Sequence, residues 1–96
     1  MLVNIVRFPP IRQGKDDEFR AWFARSNDAY AAFEGLVSRR LLEPREGGNY
    51  VAIVEHESFE TFMAMHTSPV QAGLRQEVEP LLDGDPNASF YEVVIG

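Results

Sequence analysis

Proton transfer at neutral pH is the chemistry most readily offered by this chain, because it holds two histidines, His56 and His66. Imidazole has an ordinary pKa near ~6.5, which suits a general acid or base. His66 ends the run "FETFMAMH" (59–66), where Phe59, Phe62, Met63 and His66 recur at helical spacing. It is a candidate acid/base group or substrate partner. Its plainer role is that of an imidazole at a helix C-terminus, favoured there by roughly 0.3–1 kcal/mol. His56 alternates with Val54, Ala52 and Tyr50 along an extended run. That face either lines an interior or a dimer seam, or His56 simply meets solvent at a strand end. Arg7 follows Val3 and Ile5 on a covered face. A guanidinium there needs Glu92 or Glu55 across a sheet, or else the carboxylate or oxyanion of a substrate. Asn4 and Tyr91 are further polar groups on otherwise apolar strands. Trp22, Phe23, Tyr30 and Phe33 form a helical stripe that serves as core or as the wall of a pocket for a flat ligand. Phe62, with Met63 and Met65 beside it, supplies pliable apolar surface at the same joint.

These residues are positioned by a short series of elements. "LVNIVRF" (2–8) reads as a strand ended by Pro9-Pro10. Residues 13–35 read as a long helix with Asp16, Asp17 and Glu18 near its start and Gly35 as its C-terminal cap. Residues 36–44 and 49–57 read as a β-hairpin around "REGGN". Ser58 caps a short helix, and "SPVQ" (68–71) starts another that runs to about Leu82 with Val70, Leu74, Val78, Leu81 and Leu82 inward. "DGDPN" (83–87) is a turn cluster, and 89–96 is the last strand. The order β-α-β-β-α(broken)-β predicts one α+β domain over 1–96, a ferredoxin-like split βαβ with a four-stranded antiparallel sheet and helices on one face.

Composition narrows the function classes. The chain has 96 residues, 45% of them apolar, and a net charge of -6. Acidic proteins are repelled by phosphate backbones, so nucleic acid is not an expected partner. No apolar run reaches the ~20 residues that span a bilayer, and "MLVNIVRFPP" lacks the features of a signal peptide, so a cytoplasmic protein with no membrane partner is expected. There is no cysteine, which removes disulfides, thiolate metal sites and a thiol nucleophile. Two histidines without a matching carboxylate arrangement give no metal site, "EGGN" is a turn rather than a phosphate loop, and G-x-S-x-G is absent.

Every strand carries apolar residues on both faces, as in Val3 and Ile5 against Leu2 and Val6. Helices cover one face only. The other would expose several hundred Å2 of apolar sheet in a monomer, more than a soluble monomer usually tolerates. A homodimer packed sheet to sheet is the expected remedy.

The opening strand with "QG" before an aromatic helix, "EGLVSRRLLEP" (34–44) and "VEHESFETFMAMHTSPVQAGL" (54–74) together resemble the antibiotic biosynthesis monooxygenase family of dimeric α+β barrels, over essentially the whole chain. The resemblance implies cofactor-independent oxygenation of a small aromatic or polyketide-like molecule, in which the substrate anion itself reduces O2. The expected site lies between helices and sheet, with His66 as acid/base, Arg7 as anion partner, and Trp22, Phe23, Phe62, Met65, Asn4, His56 and Tyr91 as substrate contacts. The alternative is a non-catalytic dimeric barrel that binds a small molecule. The haem-degrading branch uses Asn, Trp and His at places that fall here on Arg7, Met65 and Arg75, so haem breakdown is not implied; haem binding without breakdown predicts a Soret shift on adding hemin.

Overall fold

The local signals resolve into seven main elements in a computed structural model that describes residues 1–96. These are β1 (Leu2–Arg7), α1 (Asp16–Tyr30), β2 (Leu36–Leu42), β3 (Val51–His56), α2 (Phe59–His66), α3 (Pro69–Val78) and β4 (Asn87–Glu92), with a 3-10 turn at Glu79–Leu81 after α3. The sheet is antiparallel in the order β2-β3-β1-β4. This is the expected ferredoxin-like α+β arrangement.

The helix starts are chemically explicit. The Ser58 side chain accepts from Thr61 N–H, and Thr61 Oγ1 reaches back to the Ser58 N–H, which completes a capping box. Ser68 accepts from Gln71 N–H, and Pro69 occupies the first turn of α3, where its missing donor costs nothing. The helices pack on the face formed by Leu2, Asn4 and Val6 of β1, with Phe8 just beyond its end, and by Ala52, Val54 and His56 of β3, as the burial alternation along both strands shows. Phe19 is the centre of the core: its ring lies 5.0 Å from Phe8, 5.1 Å from Tyr50 and 5.8 Å from Trp22. Trp22 Nε1 donates to the Leu74 carbonyl at 2.9 Å and ties α1 to α3.

Several details differ from expectation. α1 ends at Tyr30, so Gly35 is not its cap; Gly35 opens β2 with φ +86°. β4 stops at Glu92 because its only partner, β1, has Leu2 opposite Glu92, and the last bond is Val93 N–H to Met1 O. Val94 and Ile95 therefore lie outside the ladder and are exposed. The short helix buries Phe62 and Met65 rather than Phe59 and Met63, because that stripe is the one facing the sheet. Val70 is exposed, at the first turn of α3.

The opposite sheet face carries Val3, Ile5, Val51 and Ile53, all half-buried in the single chain, with the more exposed Val37, Leu42 and Tyr91. No helix covers it. No helix of the chain is long and apolar enough to cross a membrane.

Candidate functional site

A cavity of about 750 Å3 opens between the helix-facing side of the sheet and the three helices. Its sheet wall is built by Asn4 and Val6 of β1 and Phe8 just after it, Ala52 and Val54 of β3, Ala88 and Phe90 of β4, and Arg39 of β2. Trp22 and Tyr30 of α1, Phe62, Met65 and His66 of α2, and Gln71, Arg75 and Val78 of α3 form the helix side, and Arg12 with Glu79, Leu82 and Asp85 closes one end. A second depression, at the β2–β3 turn, is lined by Pro44, Arg45, Glu46 and Gly47 and has no apolar wall. A flat apolar molecule with a few polar groups suits the first and not the second.

Of the expected residues, Asn4, Trp22, Phe62, Met65 and His66 come together on this cavity. Asn4 is 5% exposed and its Oδ1 has no hydrogen-bond partner. An unmet buried amide costs roughly 1–3 kcal/mol, so this group is an unused polar handle in an apolar wall. The Phe62 ring stacks on His66 at 5.4 Å with an interplanar angle of 17° and meets Phe90 edge-on at 5.3 Å. His66 itself is exposed, at the end of α2.

Two expectations are corrected by strand parity. Arg7 shares its face with Val3 and Ile5, and that face turns away from the helices. It is exposed and donates to Ser89 Oγ at 3.2 Å, rather than being buried against Glu92 or Glu55. Tyr91, opposite Val3 in β4, is on the same outer face. Neither reaches the cavity. Phe23 belongs to the core and does not line the cavity, and its ring lies under the Arg39 guanidinium at 4.5 Å.

His56 is fully buried, behind Phe62, rather than solvated at a strand end. Its Nδ1 lies 3.0 Å from Thr61 Oγ1. That hydroxyl donates to the Ser58 carbonyl, so it accepts from His56 and the neutral Nδ1–H tautomer is the one that fits. Nε2 then keeps a lone pair with no partner. Burial pushes the His56 pKa down, with the charge of Glu57 opposing only weakly. A lowered folded-state pKa means that the unfolded chain binds the proton first. Stability from this group is therefore complete above the unfolded value of about 6.5 and is lost as pH falls below it, towards the folded value. Urea midpoints should fall between pH 7.5 and 5.5. A midpoint unchanged or higher at pH 5.5 would refute the buried neutral imidazole.

Arg39, Tyr30, Phe90, Gln71 and Arg75 also reach the cavity. Of these, Tyr30 was legible from the aromatic stripe. Arg39, which stands beside Arg40 in the sequence, carried no local signal that marks it as a cavity residue. Its guanidinium lies between the Phe23 and Tyr30 rings, 4.6 Å from the latter, with Nη1 donating to Ser26 Oγ at 2.7 Å and to Asn27 Oδ1 at 2.6 Å.

No protein-family model matches the chain. A comparison with curated proteins also returns no match. Solved structures do match. Rv0793 from Mycobacterium tuberculosis superposes with a TM-score of 0.86 at 23% identity, covering 99% of this chain and 96% of that one. SnoaB from Streptomyces nogalater, a cofactor-independent oxygenase, gives 0.86 at 20% identity over 99% and 94%. A structure described as an antibiotic biosynthesis monooxygenase gives 0.84 at 14% identity over 99% and 100%. The chain thus has the fold of the antibiotic biosynthesis monooxygenases from end to end.

Proposed function

We propose that this protein is a cofactor-independent monooxygenase that oxidises a small aromatic or polyketide-like molecule in the helix–sheet cavity. The observation that carries the reading is the buried, unpartnered Oδ1 of Asn4 in the sheet wall of the cavity, among Val6, Phe8, Ala52 and Val54. The shared fold with a cofactor-independent oxygenase supports it. In a phenol-to-quinone conversion, a base takes the phenolic proton and the electron-rich ring carbon reduces O2. One oxygen atom then becomes the new carbonyl, and the other leaves as water with the phenolic and ring hydrogens. No outside reductant is needed. His66 accepts the proton at the cavity edge, Asn4 holds the substrate oxygen, and Trp22, Phe62 and Phe90 sandwich the ring. The apolar surroundings strengthen each of these polar contacts.

The active unit in this proposal is a cytoplasmic homodimer that covers the outer sheet face, with Val3, Ile5, Val51 and Ile53 at the centre of the seam and Arg7 and Tyr91 near its edge. A second reading, a dimeric barrel that binds a small molecule without turning it over, draws on the stacking of His66 on Phe62, which is also what a helix-joint residue would do.

Oxygen uptake with a panel of hydroquinones and polycyclic phenols separates the two. Wild type should consume oxygen and His66→Ala should lose about 10²–10⁴-fold of that rate, the usual weight of a general base. Binding of the panel without uptake would move the protein to the second reading. Sedimentation should give twice the chain mass of 10.9 kDa; a monomer would remove the dimer from the proposal.

A further inference from the structure

We propose that Arg39 and Tyr30 form an anion subsite in the cavity, so that its ligand is a flat acid whose charge is shared by two oxygens, a carboxylate or the enolate of a β-diketone. This rests on the reading that the cavity takes a ligand.

Arg39 lacks a charged partner. Seven ion pairs tie up charged groups elsewhere, and none includes Arg39. Its protein partners are the neutral oxygens of Ser26 and Asn27 and the faces of two aromatic rings. Both contacts use Nη1, so the donors on Nε and Nη2 have no acceptor in the chain. Tyr30 is buried, lines the same cavity, and its hydroxyl makes no hydrogen bond within the chain.

A half-buried cation with neutral neighbours is held at a cost. Burial lowers the Arg39 pKa to about 10, and the nearby Tyr30 only partly opposes this, so at neutral pH it stays charged but poorly compensated. An arriving anion would relieve that cost. The charged side chains on the cavity give the same sign: three arginines, Arg12, Arg39 and Arg75, stand against two acids, Glu79 and Asp85. Arg75 is paired with Glu79, and Arg12 donates to the Leu82 carbonyl. Arg12 and Arg75 keep free Nη donors as well, but Arg39 is the one of the three whose guanidinium has no charged partner and is fixed between two aromatic rings, in a protein whose net charge is -6. The planar fork matches an oxygen pair, and the Phe23 and Tyr30 rings hold it in one orientation.

Calorimetric titration of the full chain with 2-naphthoate and with its neutral analogue 2-naphthamide, both at pH 7.5, tests the subsite. Wild type should favour the acid by about ten- to hundredfold, the weight of a hydrogen bond to a charged group. Arg39→Met should abolish that preference and leave naphthamide affinity within about threefold, since the amide calls on no charge. Arg39→Lys should retain part of it, keeping the charge without the fork, and remains informative if the Met variant does not fold. Tyr30→Phe should weaken the acid alone, by a smaller factor. Equal affinity of wild type for acid and amide would overturn the subsite and leave the cavity reading standing. Absence of binding by both would overturn the cavity reading, and this inference with it.

Discussion

Asn4→Leu should melt at a higher temperature than wild type and lose oxygen uptake. Leucine has nearly the shape of asparagine but no polar atoms. The Asn4 carboxamide has one end buried without a partner, and turning the amide over would leave the other end in the same position. Removing an unmet buried polar group stabilises the fold by about 1–3 kcal/mol. For a chain of this size that corresponds to roughly 4–8 °C per kcal/mol. The same change removes the polar contact to the substrate oxygen, and loss of one such contact typically costs about 10²–10³ in turnover. The two effects have opposite signs, so a damaged fold cannot mimic the result. A variant that melts lower and keeps its turnover would make Asn4 a structural residue and take away the main support for the oxygenase reading. The pair of measurements is a thermal melt followed by circular dichroism and an oxygen-electrode assay.

The largest loss of stability expected from a single methyl group is at Gly35. Its φ of +86° is in the left-handed region, where a residue with Cβ pays about 1–2 kcal/mol. The added Cβ would also lie 2.5 Å from Thr61 Cβ and 2.7 Å from Thr61 Cγ2, closer than packed carbons come. Relieving that overlap adds about 1–3 kcal/mol. Thr61 has little room to yield. It closes the capping box of α2 and holds His56 Nδ1, and the Gly35 carbonyl accepts from Glu57 N–H at 2.8 Å in the same joint. Gly35→Ala should therefore lose about 2–5 kcal/mol in urea unfolding, a large part of the 5–15 kcal/mol of a typical domain. Gly14→Ala is the control. Gly14 has φ +79°, but nothing lies within 4 Å of its added Cβ, so only the backbone term of about 1–2 kcal/mol applies. Equal losses for the two variants would mean that the Gly35–Thr61 contact carries no weight. Because α2 holds Phe62, Met65 and His66 on the cavity, the Gly35 variant should also bind ligands more weakly.

What the sequence determined was local, and it was correct where one short stretch held the whole signal. Serine, proline and glutamine in "SPVQ" start α3 because the cap, the missing donor and the first turn are all within four residues. The aromatic stripe of α1 faces the core because helical period leaves one apolar side. Even the uncovered sheet face followed from counting apolar residues on strands. Asn4 stood out as a polar residue in an apolar run, and it lies on the cavity.

Only tertiary structure decided which strand face is inside. Alternation sorts residues into two sets but does not label them when both sets are apolar, as in β1. Packing α1 against Phe8 makes the Asn4 set internal and turns Arg7 outward. In β2 a register irregularity between Leu36 and Ser38 changes the parity within the strand. Leu36, Arg39 and Leu41 then pair with His56, Val54 and Ala52 on the helix side, although strict alternation separates Leu36 from the other two. That shift brings Arg39, rather than Arg7, to the cavity. His56 was undecidable for the same reason: its burial depends on Phe62 and Thr61, which reach it only once α2 has folded back over the strand. A periodic pattern fixes relative orientation along one element, and the choice between its two sides is made by whatever packs against it.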